Sequence, residues 1–168
     1  MPPKNQRFWL TSDSVSVEVD APAEQIYDLV ADMPRMGEWS HECARVEWTN
    51  GADAAQPDAT FTGHNQTGPR GLIKWSRNGR VLTADRGREF AFVTEEGGQE
   101  GVIWRYRFEP NGDRTTVTES YEVHKIPTWA RIMDVPTNRH GGLLKSMRHT
   151  LERLKVAAES AAKAGDAR

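Results

Sequence analysis

The strongest constraint on this chain is its last long stretch, Arg139 to about Lys163. At roughly 100° per residue, Leu143, Leu144, Met147, Leu151, Leu154 and Ala158 fall inside one arc about 100° wide. Lys145, Arg148, Glu152, Lys155 and Glu159 lie outside that arc, and no proline interrupts the run. The spacing predicts an amphipathic helix of about six turns. Burying each large side chain of the stripe is worth on the order of 1.5–3 kcal/mol, so the stripe needs a wide apolar partner.

The partner has to come from upstream, where the pattern changes to period two. Val15, Val17 and Val19 alternate with Ser14, Ser16 and Glu18, which predicts a half-buried strand over Trp9–Asp20. Pro22 suits the first position of a helix over Pro22–Ala31, with Ile26, Val30 and Met33 on one face. Pro34 ends it, and a second short helix or turn runs through Trp39. Short strands follow over 43–49, 59–66, 72–84, 88–94, 102–109 and 115–124. Asn78-Gly79 is read as a bulge inside a long strand rather than as a hairpin turn. Residues 95–101 are read as a loop. Short spacings imply antiparallel neighbours. Residues 125–138 form a connector in which Trp129, Ile132 and Met133 cluster, with one or two helical turns. Gly141-Gly142 is expected to let this connector approach the sheet closely.

At 168 residues the chain suits one domain, expected over 9–160, with tails at 1–8 and 161–168. The formal charge of −2 with interspersed signs gives no reason to expect a nucleic-acid partner. No apolar run approaches the roughly 18 residues of a membrane span. One cysteine, Cys43, has no partner for an internal disulfide, which fits a reducing, cytoplasmic setting. It is expected to be a small buried residue rather than a nucleophile. Monomer and dimer both remain open. Six tryptophans are the compositional oddity, suited to a core or to the wall of an apolar pocket.

The order of elements and several segments carry a family likeness. Val19–Ser40, Phe61–Asn65, Trp75, Arg88–Phe92, Trp104–Pro110 and Met147–Lys155 fall where related chains carry similar pieces. Over residues 9–160 the chain resembles the START-like (Bet v 1-like, SRPBCC) superfamily, and within it the bacterial polyketide cyclase/dehydrase-type group. The resemblance implies an α+β helix-grip fold. In it, a curved antiparallel sheet of about seven strands wraps around a long C-terminal helix, with two short helices after strand one. A curved sheet meets a straight helix mainly along its edges, so a cavity is expected between them, and the 125–138 connector would form its lid. The superfamily includes carriers, cyclases, hydrolases and partner-binding proteins, so no fixed catalytic set transfers with the likeness.

Trp39, Phe61, Trp75, Trp104, Tyr106 and Trp129 come from elements that such a fold converges on one space. Met147 and Leu151 would supply its floor. These are the candidate ligand contacts; for each ring the competing reading is ordinary core packing. Glu119 is the sharpest polar position, because it shares a strand face with Val117, Tyr121 and Val123. If that face looks inward, a carboxylate goes with it and needs a raised pKa or a cation such as Arg77 or Arg105. Glu119 and Tyr121 are the candidate catalytic pair, for proton transfers on a carbonyl substrate. The histidines His41, His64, His124, His140 and His149 show no metal spacing, and neither a metal nor an organic cofactor is expected. His149 is expected in solvent and His64 at the cavity mouth. The expected partner is a hydrophobic small molecule: a polyketide, lipid or aromatic metabolite. A carrier without chemistry, and an interaction module whose interior is filled by its own side chains, are the alternatives.

Overall fold

A computed structural model describes residues 12–126 and 128–166. The expected strand start at Trp9–Thr11, the 1–8 tail, Pro127 and residues 167–168 lie outside the described residues. Alternating apolar residues build seven strands: β1 (Ser12–Val19), β2 (Cys43–Thr49), β3 (Thr60–Thr67), β4 (Ile73–Asp85), β5 (Glu89–Glu96), β6 (Gln99–Asn111) and β7 (Arg114–Val123). They form one antiparallel sheet in the order β1-β7-β6-β5-β4-β3-β2. The sheet is not closed, so β1 and β2 are its edges. Helix α1 (Ala23–Ala31) and a short 3-10 helix (Met33–Glu38) follow β1; α2 (Thr128–Thr137) and α3 (Arg139–Asp166) follow β7. This is the helix-grip arrangement.

The stripe of α3 goes where its period directs it. Leu143, Met147, Leu151, Leu154 and Ala158 are buried, and they join one core with Val15 and Val19 of β1 and Ile26 and Val30 of α1. Polar contacts tie the helix to both edges of the sheet. At its start, Arg139 grips Glu42, just before β2, through two hydrogen bonds of 2.8 and 3.1 Å. Further along, Lys155 donates to the Glu18 carbonyl at 2.6 Å, and Glu159 accepts from the Asp20 amide at 3.0 Å. The helix thus bridges the hollow of the sheet and leaves space beneath its first turns.

Several expectations are corrected. Strand β4 runs through Asn78-Gly79 without a bulge; its register shift lies between Val81 and Thr83. Gly79 is required for another reason: a Cβ there would sit 2.4 Å from Phe61 Cζ and 2.7 Å from the Val93 carbonyl oxygen. The expected loop over 95–101 shrinks to Gly97-Gly98, because Glu96 pairs with Gln99. Both glycines have positive φ, which suits a two-residue hairpin turn whose twist matches its strands. Pro22 caps α1 from outside, and its carbonyl accepts the first amide bonds at 3.1 and 3.2 Å. Gly141 and Gly142 belong to the first turn of α3 and face no strand; a Cβ on Gly141 would meet the Asn138 side chain. The connector is a ten-residue helix rather than one or two turns. The last helix runs to Asp166, three residues past the expected end near Lys163.

Candidate functional site

Beneath the first turns of α3 lies a cavity of about 570 Å³. Its wall takes residues from β2 to β7, from α2 and α3, and from the 3-10 helix. Sheet register decides which side chains meet there. On the inner face, Asp13, Tyr121, Trp104 and Phe92 are successive cross-strand partners along β1, β7, β6 and β5. The next rung carries Val15, Glu119, Tyr106 and Phe90. Two residues along a strand keep the same face, so Glu119 and Tyr121 are neighbours about 7 Å apart along β7.

Of the expected contacts, Phe61, Trp75, Trp104, Tyr106, Trp129 and Met147 line the cavity, and so do Glu119 and Tyr121. Trp39 and Leu151 do not. Both are fully buried in the core, and Trp39 has the Arg35 guanidinium 5.5 Å from its ring centroid. Leu151 is turned away from the cavity: Thr150, one residue earlier on α3, lines it, while Leu151 packs into the core. Trp129 and Met133 also contribute to the wall, although Trp129 is 70% exposed and Met133 47%.

Glu119 is buried and receives a 2.8 Å hydrogen bond from the Tyr106 hydroxyl on Oε1. Its other oxygen, Oε2, has no hydrogen-bond partner among the described residues. Burial pushes its carboxyl up to about 8, against the opposing pull of the Tyr106 hydrogen bond. The side chain is therefore a neutral acid at pH 7. The same burial, reinforced by Glu119, drives the Tyr106 phenol far above its ordinary value. The expected cationic partners are engaged elsewhere: Arg77 pairs with Glu96, and Arg105 with Glu89. Arg77 does line the cavity, and burial lowers its pKa.

Tyr121 contacts a residue that the sequence reading did not single out. Its hydroxyl lies 2.8 Å from Nδ1 of His140, and Nε2 of His140 lies 3.2 Å from Oδ2 of Asp13. The Tyr121 ring also leans on Trp104, centroid to centroid 5.9 Å. The signal for His140 was present: it sits three and seven residues before Leu143 and Met147, on the buried stripe of α3. His64 is corrected in the other direction. It alternates with the cavity-lining Phe61, Gly63 and Asn65, so it faces outward, bonded to Ser76 and Glu47 at 2.9 and 3.2 Å. His149 is exposed, edge-on to His41. Cys43 lines the cavity, and burial pushes its thiol up to about 11, which makes it a poor nucleophile. Among the described residues no cluster of three metal-ligating side chains occurs, and no helix is long and apolar enough to cross a membrane.

The family model described as polyketide cyclase / dehydrase and lipid transport matches residues 12–159. The chain belongs to this family. Three solved structures set the polyketide cyclase/dehydrase fold beside it. The polyketide-cyclase-like protein Cgl2372 from Corynebacterium glutamicum is 27% identical, with 87% of this chain and 90% of that one covered at a TM-score of 0.57. The Zhui aromatase/cyclase from Streptomyces sp. R1128 is 15% identical, with 88% and 93% covered at 0.67. A START superfamily protein from Mycobacterium smegmatis is 18% identical, with 90% and 99% covered at 0.62. The last two establish shared fold alone. None of the curated proteins matches the chain.

Proposed function

We propose that this member of the polyketide cyclase/dehydrase family binds a largely apolar small molecule between its sheet and α3: a polyketide, lipid or aromatic metabolite. The observation that carries the reading is the cavity of about 570 Å³, walled mainly by aromatic and aliphatic side chains, with Arg77, Arg139 and the buried Glu119 carboxyl among its few charged groups. That size and that mixture suit a drug-sized ligand with a few polar groups. Phe61, Trp75, Trp104, Tyr106, Trp129 and Met147 are its apolar contacts, while Trp39 and Leu151 brace the wall from behind. Glu119 Oε2 is the polar anchor. An unpaired buried carboxyl oxygen is costly, and a ligand carbonyl or hydroxyl would relieve that cost. Helix α2 is the lid, with Trp129 folding over the bound molecule. The lone cysteine fits a cytoplasmic setting.

Two roles fit such a site. In an enzyme, the cavity holds one folded shape of the ligand and excludes water, while Glu119 and Tyr121 move protons. In a carrier, the same walls hold the ligand without turnover. An interaction module with a filled interior is disfavoured by the cavity itself. Native mass spectrometry of protein purified from its host tests the binding reading. A retained apolar molecule at one per chain is the expected result, and bare protein under gentle ionisation, together with no uptake of added apolar ligands, contradicts it. Glu119→Gln and Tyr121→Phe then divide enzyme from carrier: turnover lost with binding kept marks an enzyme.

A further inference from the structure

We propose that His140 and Asp13 turn Tyr121 into a general base for the cavity, through a relay that begins at the bound ligand and ends at the protein's edge. The inference rests on the binding reading above and adds a chemistry to it. Three observations carry it. The Tyr121 hydroxyl, His140 and Asp13 form one continuous chain of polar contacts, 2.8 Å and then 3.2 Å. Tyr121 lines the cavity, and Asp13, at the far end of the chain of contacts, is partly exposed on the edge strand. The three residues come from β7, the first turn of α3 and the edge strand β1. Cross-strand pairing sets Asp13 directly beside Tyr121, and the helix lowers His140 onto both.

The proton positions follow from what each group can do. We assign the imidazole proton to Nε2, the nitrogen that lies 3.2 Å from the Asp13 carboxylate. Nδ1 is then an acceptor, and the phenol donates to it. This is the logic of a nucleophile–histidine–aspartate triad with a phenol at its head. His140 and Asp13 are positioning residues; Tyr121 is the group that meets the ligand.

Glu119, the next inward residue on the same strand, supplies the complementary half. The arrangement suits a ketone whose oxygen sits at the Glu119 carboxyl and whose α-carbon sits at the Tyr121 hydroxyl. The α C–H bond breaks, its proton passes to Oη of Tyr121, and the phenolic proton passes to Nδ1 of His140. The electron pair moves onto the carbonyl oxygen, which takes a hydrogen bond from the neutral Glu119. Reversal returns a proton to carbon, so nothing is oxidised or reduced. The substrate class is a neutral cyclic or aromatic ketone with an acidic α C–H.

The test uses 2-tetralone as probe and the full chain in D₂O. Probe affinity comes from quenching of tryptophan fluorescence, and α-deuteration is followed by proton NMR. Wild type should bind the probe and deuterate it about 10²-fold faster than Tyr121→Phe. His140→Gln and Asp13→Asn should each slow exchange about 10-fold or more, with probe affinity unchanged. In the Tyr121→Phe background the same two substitutions should do nothing further. Nitrogen-15 shifts of wild-type His140 should show the proton on Nε2. Binding without exchange above Tyr121→Phe overturns the relay and leaves the cavity reading standing. Losses that stay additive in the Tyr121→Phe background, or a proton on Nδ1, also overturn it, because a merely structural tie would behave so. If the probe does not bind at all, the cavity reading fails and the relay goes with it.

Discussion

The phenol of Tyr106 donates a 2.8 Å hydrogen bond to Oε1 of Glu119 across the β6–β7 rung on which the two residues are partners. The bond satisfies one carboxyl oxygen and leaves the other to the cavity. A protonated carboxyl in that place can both donate and accept, which an ionised one cannot.

Stability should fall with rising pH on account of Glu119. Unfolded, its carboxyl ionises near 4.5; folded, near 8. Below 4.5 both states hold the proton. Between the two values only the folded state keeps it, so stability declines across that window and levels off above it. Glu119→Gln cannot ionise and should remove this slope. Relative to wild type, the variant should gain on the order of a few kcal/mol between pH 5 and pH 8.5. Urea unfolding of both proteins at three pH values measures the difference.

Tyr106→Phe should cost about 1–3 kcal/mol, because Glu119 then loses its buried donor. The Tyr106 bond opposes the upward shift of the Glu119 carboxyl. Its loss should move the Glu119 midpoint further up, which carbon-13 titration of the labelled carboxyl would detect.

Gly79→Ala should destabilise by roughly 1–3 kcal/mol, the range of core overpacking. The new methyl would strike the Phe61 ring and, more stubbornly, the Val93 carbonyl of the neighbouring strand. Thermal and chemical melts of the variant provide the check.

Leu151→Ala and Trp129→Ala should separate stability from ligand handling. Leu151 is buried behind the cavity, so its truncation should cost about 2–5 kcal/mol while leaving probe affinity intact. Trp129 is mostly exposed but belongs to the wall, so its truncation should change stability by less than about 0.5 kcal/mol. Loss of Trp129 should nevertheless speed probe release, which stopped-flow dissociation measures.

Much of this protein was legible from its residue pattern. The stripe on α3 and the alternation in β1, β6 and β7 forced a sheet against a long helix, and the inward placement of Glu119 followed from the strand period. What the pattern lacked was register. Nothing local to Glu119 says that Tyr106 lies opposite it, because cross-strand pairing joins residues 13 positions apart. Of the cations proposed for it, Arg77 shares the cavity face but pairs with Glu96, while Arg105, between Trp104 and Tyr106, faces the other side of the sheet and pairs with Glu89. His140 was missed because it was weighed for metal spacing rather than against the stripe it begins. Leu151 was placed in the cavity since periodicity gives a helix face, and only packing shows which part of that face borders the space: Thr150 does and Leu151 does not. Gly97-Gly98 was read as part of a longer loop, although two adjacent glycines between alternating runs are a hairpin signal.

The central claim is that the space under α3 receives an apolar ligand, and a neutral fluorescent probe, N-phenyl-1-naphthylamine, tests it most directly. Titrated into wild type and into Met147→Trp, with both shown to melt cooperatively, the probe should bind wild type saturably at one per chain. The indole that fills the cavity should weaken binding by at least about tenfold. Equal affinity in the two proteins, or no saturable binding to wild type, would contradict the account.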